Sequence, residues 1–208
     1  MGGEVVDENA YPWMAFLYNF DRDVLGLNVM DLDLPDTCKP KTNTNSTIPA
    51  PLKASDAFCG GSLITRRYIL TAAHCMACRT VDDTAVVLGK NKLKTDKILM
   101  EDFVYIADIL FYPKYTRGVT QDLKNNPDIS VIRLETPVEF GPTINAICLP
   151  NNPSSKYEER TMIVAGWGVT ESLNTTNKLM EANVKVLANE KCIKWNGYSF
   201  LKRYYIRY

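Results

Sequence analysis

The sequence predicts an all-β protein. Three observations carry this prediction: short runs rich in β-branched residues recur along the chain, glycine and proline turns bound them, and helical periodicity is scarce. Many short strands at regular spacing indicate a β-barrel or a sandwich. The predicted strands cover residues 62–65, 68–70, 86–88, 105–110, 129–134 and 162–165.

Two further segments differ from these runs. Residues 182–186 alternate between apolar and polar side chains, as a half-buried strand does. Residues 31–56 are polar, contain four prolines, and are predicted to form a long exposed loop. Cys38 lies in this loop and would tie it to the body of the protein.

Charge and composition exclude several classes of function. Lysine plus arginine number 24 and aspartate plus glutamate number 24, so the net charge of +0 argues against a nucleic-acid binder. No apolar run approaches the roughly 18 residues of a membrane-spanning helix, and we predict no membrane partner. Residues 191–208 are basic and aromatic. This tail alone does not support nucleic-acid binding, because the chain as a whole lacks a basic footprint.

The cysteines and glycosylation signals favour an extracellular protein. The chain has 6 cysteines, and Asn45 and Asn174 each begin an Asn-X-Thr/Ser sequon. The first residues have neither the basic region nor the apolar region of a signal peptide, so none is predicted within the chain. We therefore expect a secreted protein, and this expectation rests on the cysteines and the sequons alone.

The single histidine, His74, lies in a distinctive setting. It belongs to Thr71-Ala72-Ala73-His74-Cys75, which follows Cys59-Gly60-Gly61-Ser62. Here the chain resembles the trypsin-like, chymotrypsin-fold serine peptidases (peptidase family S1). Further matching motifs follow in the same order: Asp128-Ile129-Ser130-Val131-Ile132, Ile147-Cys148-Leu149-Pro150 and Gly166-Trp167-Gly168.

The resemblance implies a fold of two orthogonal Greek-key β-barrels. It assigns residues 1–148 to the mature N-terminus and the first barrel, with the long loop 31–56 inserted. It assigns residues 149–208 to an incomplete second barrel with an atypical tail. The chain would thus be truncated before the catalytic serine.

The resemblance also assigns two catalytic roles. His74 would be the general base, and Asp128 the buried carboxylate that orients it. The Gly-Asp-Ser-Gly-Gly string that holds the family's nucleophile is absent from the 208 residues. Ser199 lacks neighbouring glycines whose amides could form an oxyanion hole, so we predict no nucleophile and no oxyanion hole in this chain.

The cysteines are assigned by the same resemblance. Cys59 and Cys75 resemble the family's disulfide beneath the histidine. Cys38 and Cys78 have no usual counterpart among the family's cysteines. By elimination, they are predicted to pair with each other. The run from His74 to Cys78 offers three candidate zinc ligands, but a zinc site usually needs a second, similarly spaced pair, so no metal is predicted.

The predicted function follows from these assignments. The chain is expected to belong to a secreted trypsin-like serine endopeptidase that cleaves peptide bonds in protein or peptide substrates. Whether this chain is itself an enzyme stays open, because without a nucleophile we expect it to be inactive. The alternative is a non-catalytic homologue that binds or regulates a partner in an extracellular protease cascade. Neither hypothesis requires a cofactor.

Overall fold

The structure, a computed structural model, describes residues 3–19, 57–92, 98–116, 127–151, 157–168, 177–188 and 191. Their regular secondary structure is almost entirely β, and they divide by their contacts into two compact units. The elements in chain order are β1 (Glu4–Val5), β2 (Met14–Asn19), β3 (Ala57–Thr65), β4 (Tyr68–Thr71), α1 (Ala73–Met76), β5 (Thr84–Leu88), a 3-10 turn (Met100–Asp102), β6 (Phe103–Phe111), β7 (Ser130–Leu134), β8 (Thr161–Gly166) and β9 (Met180–Lys185). Among the described residues, no helix is long and apolar enough to cross a membrane.

The larger unit is a closed six-stranded barrel. Its strand order is β2-β3-β4-β7-β6-β5, and the ring closes because β2 pairs with both β3 and β5. All six pairings are antiparallel. Closure gives each of the six strands a partner on both sides, so none of them lies at a free edge of the sheet. The all-β prediction is confirmed.

The barrel is filled by aliphatic side chains, and in β7 buried and partly exposed residues alternate. In β7, Ser130, Ile132 and Leu134 are buried while the residues between them are partly exposed. This period of two is the pattern of a strand with one face toward a core. The fully buried aliphatic side chains include Leu17, Leu63, Ile69, Val86, Ile106, Ile132 and Leu134.

Gly61 lies in β3, at a point where the neighbouring strand β4 packs closely against it. A Cβ atom at this position would lie 2.6 Å from Cγ2 of Ile69 and 3.1 Å from the carbonyl oxygen of Leu70. A β-carbon essentially never comes within 3.0 Å of another heavy atom, so any side chain at this position would force its neighbours to shift. Gly61 of the sequence motif thus serves the packing of the barrel wall.

The smaller unit contains a three-stranded sheet with strand order β1-β9-β8. The strands are antiparallel, and Val5 pairs with Met180. Trp167 donates its indole N–H to the carbonyl oxygen of Asn91 at 3.0 Å. Tyr11 donates its hydroxyl to the carboxylate of Glu181, and this hydrogen bond raises the pKa of Tyr11 to about 12.

Some predictions fall outside the described residues. These are the loop 31–56 and the tail 193–208. The predicted domain boundary near residue 148 stays a prediction.

Candidate active site

Two chain segments meet at one end of the barrel. Strands β4 and β7 are antiparallel, and Thr71, the last residue of β4, pairs with Ser130, the first residue of β7. The chain that leaves β4 therefore lies beside the chain that enters β7. His74 follows β4 within the one-turn helix α1, and Asp128 precedes β7. The pairing register alone thus brings together two residues 54 positions apart.

Asp128 holds His74 at two points. Its Oδ1 accepts a hydrogen bond from the backbone N–H of His74 at 2.8 Å. Its Oδ2 lies 2.6 Å from the ring Nδ1 of the same residue. An ionised carboxylate can only accept, so this contact places the ring proton on Nδ1 and leaves the lone pair on Nε2. The backbone bond fixes the carboxylate, and the carboxylate fixes the ring.

The pair is more accessible than the sequence suggests. The side chains of His74 and Asp128 are 53% and 44% exposed, whereas the resemblance implied a buried carboxylate. Asp128 lies in the extended segment before β7, next to the exposed Ile129, and the barrel core begins only at Ser130. About half of each side chain therefore meets solvent, and water screens the charge of Asp128.

A disulfide ties the histidine helix to the barrel wall. Cys75, which follows His74, is bonded to Cys59 of β3, and their Cα atoms are 6.1 Å apart. Next to this bridge, the hydroxyl of Thr71 donates to the carbonyl oxygen of Gly60 at 2.8 Å. Both links fix the path of the chain from β4 into α1. Cys78 is also disulfide-bonded, and its predicted partner Cys38 lies outside the described residues.

A sulfur atom lies close to the free nitrogen of the histidine ring. The Sγ of Cys75 is 3.6 Å from Nε2 of His74. The ligand atoms of Cys59, His74 and Cys75 all lie within 4.8 Å of one another. With the disulfide formed, the two sulfurs are bonded to each other and offer no thiolate to a metal. The sequence pointed to Cys78 as the neighbouring ligand, whereas in the structure Cys59 takes that place.

The described serines do not complete a catalytic triad. Ser130 is 1% exposed and its hydroxyl donates to the carbonyl oxygen of Leu110, which anchors β7 to β6. Ser62 lies within β3. Within the described part of the chain, no serine hydroxyl is hydrogen-bonded to the His74 ring. Ser199 lies outside the described residues, as do the predicted glycosylation sites Asn45 and Asn174.

Two supporting contacts were missed by sequence reasoning. The backbone N–H of His74 and the hydroxyl of Thr71 both help to fix the site, yet neither stands out in the sequence. Their partners are distant in the chain and are set by strand register. No local pattern in the sequence could have identified either contact.

Comparisons with known proteins agree with this geometry. The trypsin family model matches residues 38–206. The chain is 34% identical over 137 residues to ovochymase of Halocynthia roretzi, which covers 65% of this chain and 8% of that protein. It is 30% identical over 206 residues to phenoloxidase-activating factor 3 of Holotrichia diomphalia, which covers 92% of this chain and 49% of that protein.

A solved structure has the same fold. Neuropsin, a serine protease expressed in the limbic system of mouse brain, superposes with a TM-score of 0.64 at 23% identity. The match covers 94% of this chain and 68% of that one. The architecture is therefore the trypsin-like double-barrel fold, and the chain belongs to the trypsin family of serine proteases. It spans half or less of the length of the two curated relatives named here.

Proposed function

We propose that this chain carries the general base and the orienting carboxylate of a secreted serine endopeptidase that hydrolyses peptide bonds in proteins. The observation that supports the proposal is the two-point contact of Asp128 with His74. A single histidine on a protein surface has many uses. A half-exposed histidine whose Nδ1 is held by a carboxylate is the arrangement that base-assisted attack on a carbonyl requires.

The chemistry that this pair supplies is a proton relay. Nε2 of His74 accepts the proton of a serine hydroxyl as that oxygen attacks the substrate carbonyl. Asp128 stabilises the resulting imidazolium through Nδ1–H and stays ionised. The imidazolium then gives its proton to the departing amine. In the second half of the reaction, Nε2 accepts a proton from water, which hydrolyses the acyl intermediate.

The nucleophile is the part that the 208 residues do not provide. They contain no Gly-Asp-Ser-Gly-Gly string, and the two described serines belong to the barrel strands β3 and β7. Removing any one member of a triad lowers kcat by several orders of magnitude. We therefore propose that this polypeptide by itself does not hydrolyse peptides. The Cys59–Cys75 disulfide and the two sequons support an extracellular location.

The proposed inactivity is tested with an organophosphonate reagent that reacts with activated serines. The purified 208-residue chain should take up no stoichiometric label and should not cleave a mixed peptide library. Stoichiometric labelling would show that a nucleophile is present in the chain. Specific binding of an extracellular protease by the unlabelled chain would instead favour the alternative, a non-catalytic regulatory homologue.

The role of the pair is tested separately, because His74 is the only histidine. Histidine labelled with ¹⁵N then gives one pair of ring signals, which report the tautomer. In the neutral ring we expect the proton on Nδ1, because Asp128 accepts from that nitrogen. Asp128→Asn should redistribute the proton toward Nε2, whereas the control Asp108→Asn, in β6, should leave the spectrum unchanged. A wild-type ring protonated on Nε2 would contradict the proposed role.

A further inference from the structure

We propose that reduction of the Cys59–Cys75 disulfide converts this end of the barrel into a zinc site, in which both cysteine sulfurs and Nε2 of His74 bind the ion. The three ligand atoms already lie within 4.8 Å of one another. The sequence gives no sign of the site, because Cys59 is distant in the chain from the other two ligands.

The separation of nitrogen and sulfur fits tetrahedral zinc. With Zn–S at about 2.3 Å and Zn–N at about 2.0–2.1 Å, a tetrahedral angle places the two ligand atoms about 3.6 Å apart. Nε2 of His74 and Sγ of Cys75 are 3.6 Å apart in the structure. This half of the site therefore needs no rearrangement.

The second sulfur has to move only by side-chain rotation. Two thiolates on tetrahedral zinc lie about 3.8 Å from each other. The Cα atoms of Cys59 and Cys75 are 6.1 Å apart, so rotation about the Cα–Cβ bond of Cys59 can bring the sulfurs to that separation without a shift of the backbone. The strand β3 and the helix α1 hold these two Cα atoms.

The contact of the His74 ring with a carboxylate is also typical of a histidine that binds a metal. Histidines that bind zinc usually donate their other ring N–H to a carboxylate, which fixes the tautomer and strengthens the donor nitrogen. Asp128 makes this contact at 2.6 Å. The side chain of His74 is 53% exposed and Cys75 is 7% exposed, so the ion would enter from the histidine side. Three protein ligands leave a fourth position for water, as in catalytic zinc sites.

The reaction balances with a phosphine as the reductant. The phosphine attacks one sulfur, the S–S bond breaks, and water supplies the oxygen of the phosphine oxide and the protons of the two thiols. Zn²⁺ then displaces both thiol protons into the buffer and accepts the lone pair of Nε2. A dithiol reductant is avoided in the experiment because it would chelate the metal itself.

Metal binding has a consequence for the proposed function, although the site does not depend on it. The lone pair on Nε2 that would accept a serine proton would instead be shared with zinc. Reduction in the presence of zinc would therefore block the base.

The test uses ¹¹³Cd²⁺ as the probe and the full chain labelled with ¹⁵N-histidine. After reduction by the phosphine, we expect a one-bond coupling between ¹¹³Cd and Nε2 of His74, and none before reduction. Cys59→Ser with Cys75→Ser should abolish the coupling under the same conditions. Cys148→Ser, which removes an exposed free thiol, is the matched control and should preserve it. Asp128→Asn should weaken binding by about 10- to 100-fold.

Several outcomes would overturn the proposal. They are a reduced chain with no coupling, coupling to Nδ1, or coupling that survives the double cysteine substitution. The barrel amide spectrum is recorded in parallel with saturating metal. A ligand that binds only the folded form stabilises it, so unfolding of the reduced chain under these conditions would also refute the site.

Discussion

Substitution of Gly61 by alanine tests how tightly the barrel wall is packed. The added methyl carbon would lie 2.6 Å from Cγ2 of Ile69, well inside the closest normal carbon–carbon approach. Ile69 is fully buried and cannot turn toward solvent. The carbonyl oxygen of Leu70, at 3.1 Å, restricts movement of the new methyl group on its other side. The strain must therefore be taken up by the strands themselves.

The expected cost follows from this contact. Forcing extra carbon into a well-packed core costs about 1–3 kcal/mol. Alanine also restricts the unfolded chain more than glycine does, and this effect stabilises the folded state by about 0.4–1 kcal/mol. The overlap involves a buried side chain and a strand carbonyl rather than a flexible end, so the clash outweighs this gain. We expect Gly61→Ala to lower the free energy of unfolding by about 1–2 kcal/mol.

The assay is urea denaturation followed by far-UV circular dichroism, with hydrogen exchange of the β3 and β4 amides as a local measure. Gly141→Ala is the matched control, because nothing lies within 4 Å of a Cβ at that position. Surface changes of this kind fall within about 0.5 kcal/mol of wild type. A Gly61→Ala protein as stable as the Gly141→Ala protein would refute the packing argument.

A rescue experiment identifies the atom responsible. Ile69→Leu keeps the number of carbons but removes the branch at Cβ, and with it the clashing Cγ2. The double variant Gly61→Ala, Ile69→Leu should therefore be more stable than the sum of the single effects predicts, by about 0.5 kcal/mol or more. Additive effects would place the strain elsewhere.

Two further predictions concern a disulfide and an ion-pair cluster. Replacing Cys59 and Cys75 together by alanine should lower the free energy of unfolding by about 3 kcal/mol, from the loss of a loop with a sequence separation of 16; a loss near zero in urea denaturation would contradict the chain-entropy account. Hydrogen bonds from Lys185 and Lys191 lower the pKa of Glu159 from 4.5 to about 2. Because the folded-state pKa is the lower one, the stabilisation is present above pH 4.5 and disappears as the pH falls toward 2. A ¹³C-carboxylate NMR titration of Glu159 should have its midpoint near 2, and a midpoint near 4.5 would show that the cluster has no effect in solution.

Much of the barrel could be predicted because its strands carry strong local signals. Residues 129–134 are rich in β-branched side chains, and the structure places β7 within this range. Strand β2 was missed, since Met14–Asn19 is a nearly continuous apolar run without alternation. Such a run does not distinguish a strand from a buried helix. Its membership of the barrel is decided by pairing with β3 and β5, which is tertiary information.

The candidate site was predictable as a set of residues but not as a geometry. The motif around His74 identified the histidine, and the strand after Asp128 identified the carboxylate. The contact of Asp128 with a backbone amide depends on the register of β4 with β7, which no local pattern specifies. The approach of Cys75 to Nε2 and the position of Cys59 likewise depend on how β3 and α1 meet.

The register that joins β4 to β7 has a kinetic consequence. The contact between His74 and Asp128 spans 54 residues, and it exists only after these two strands have paired. Barrels dominated by such distant contacts fold in milliseconds to seconds, because the entropy of closing long loops is lost before the contacts form. In a refolding experiment, the ring signal of the single histidine should therefore reach its native position in the slowest phase, after the local hairpin of β3 and β4 has formed.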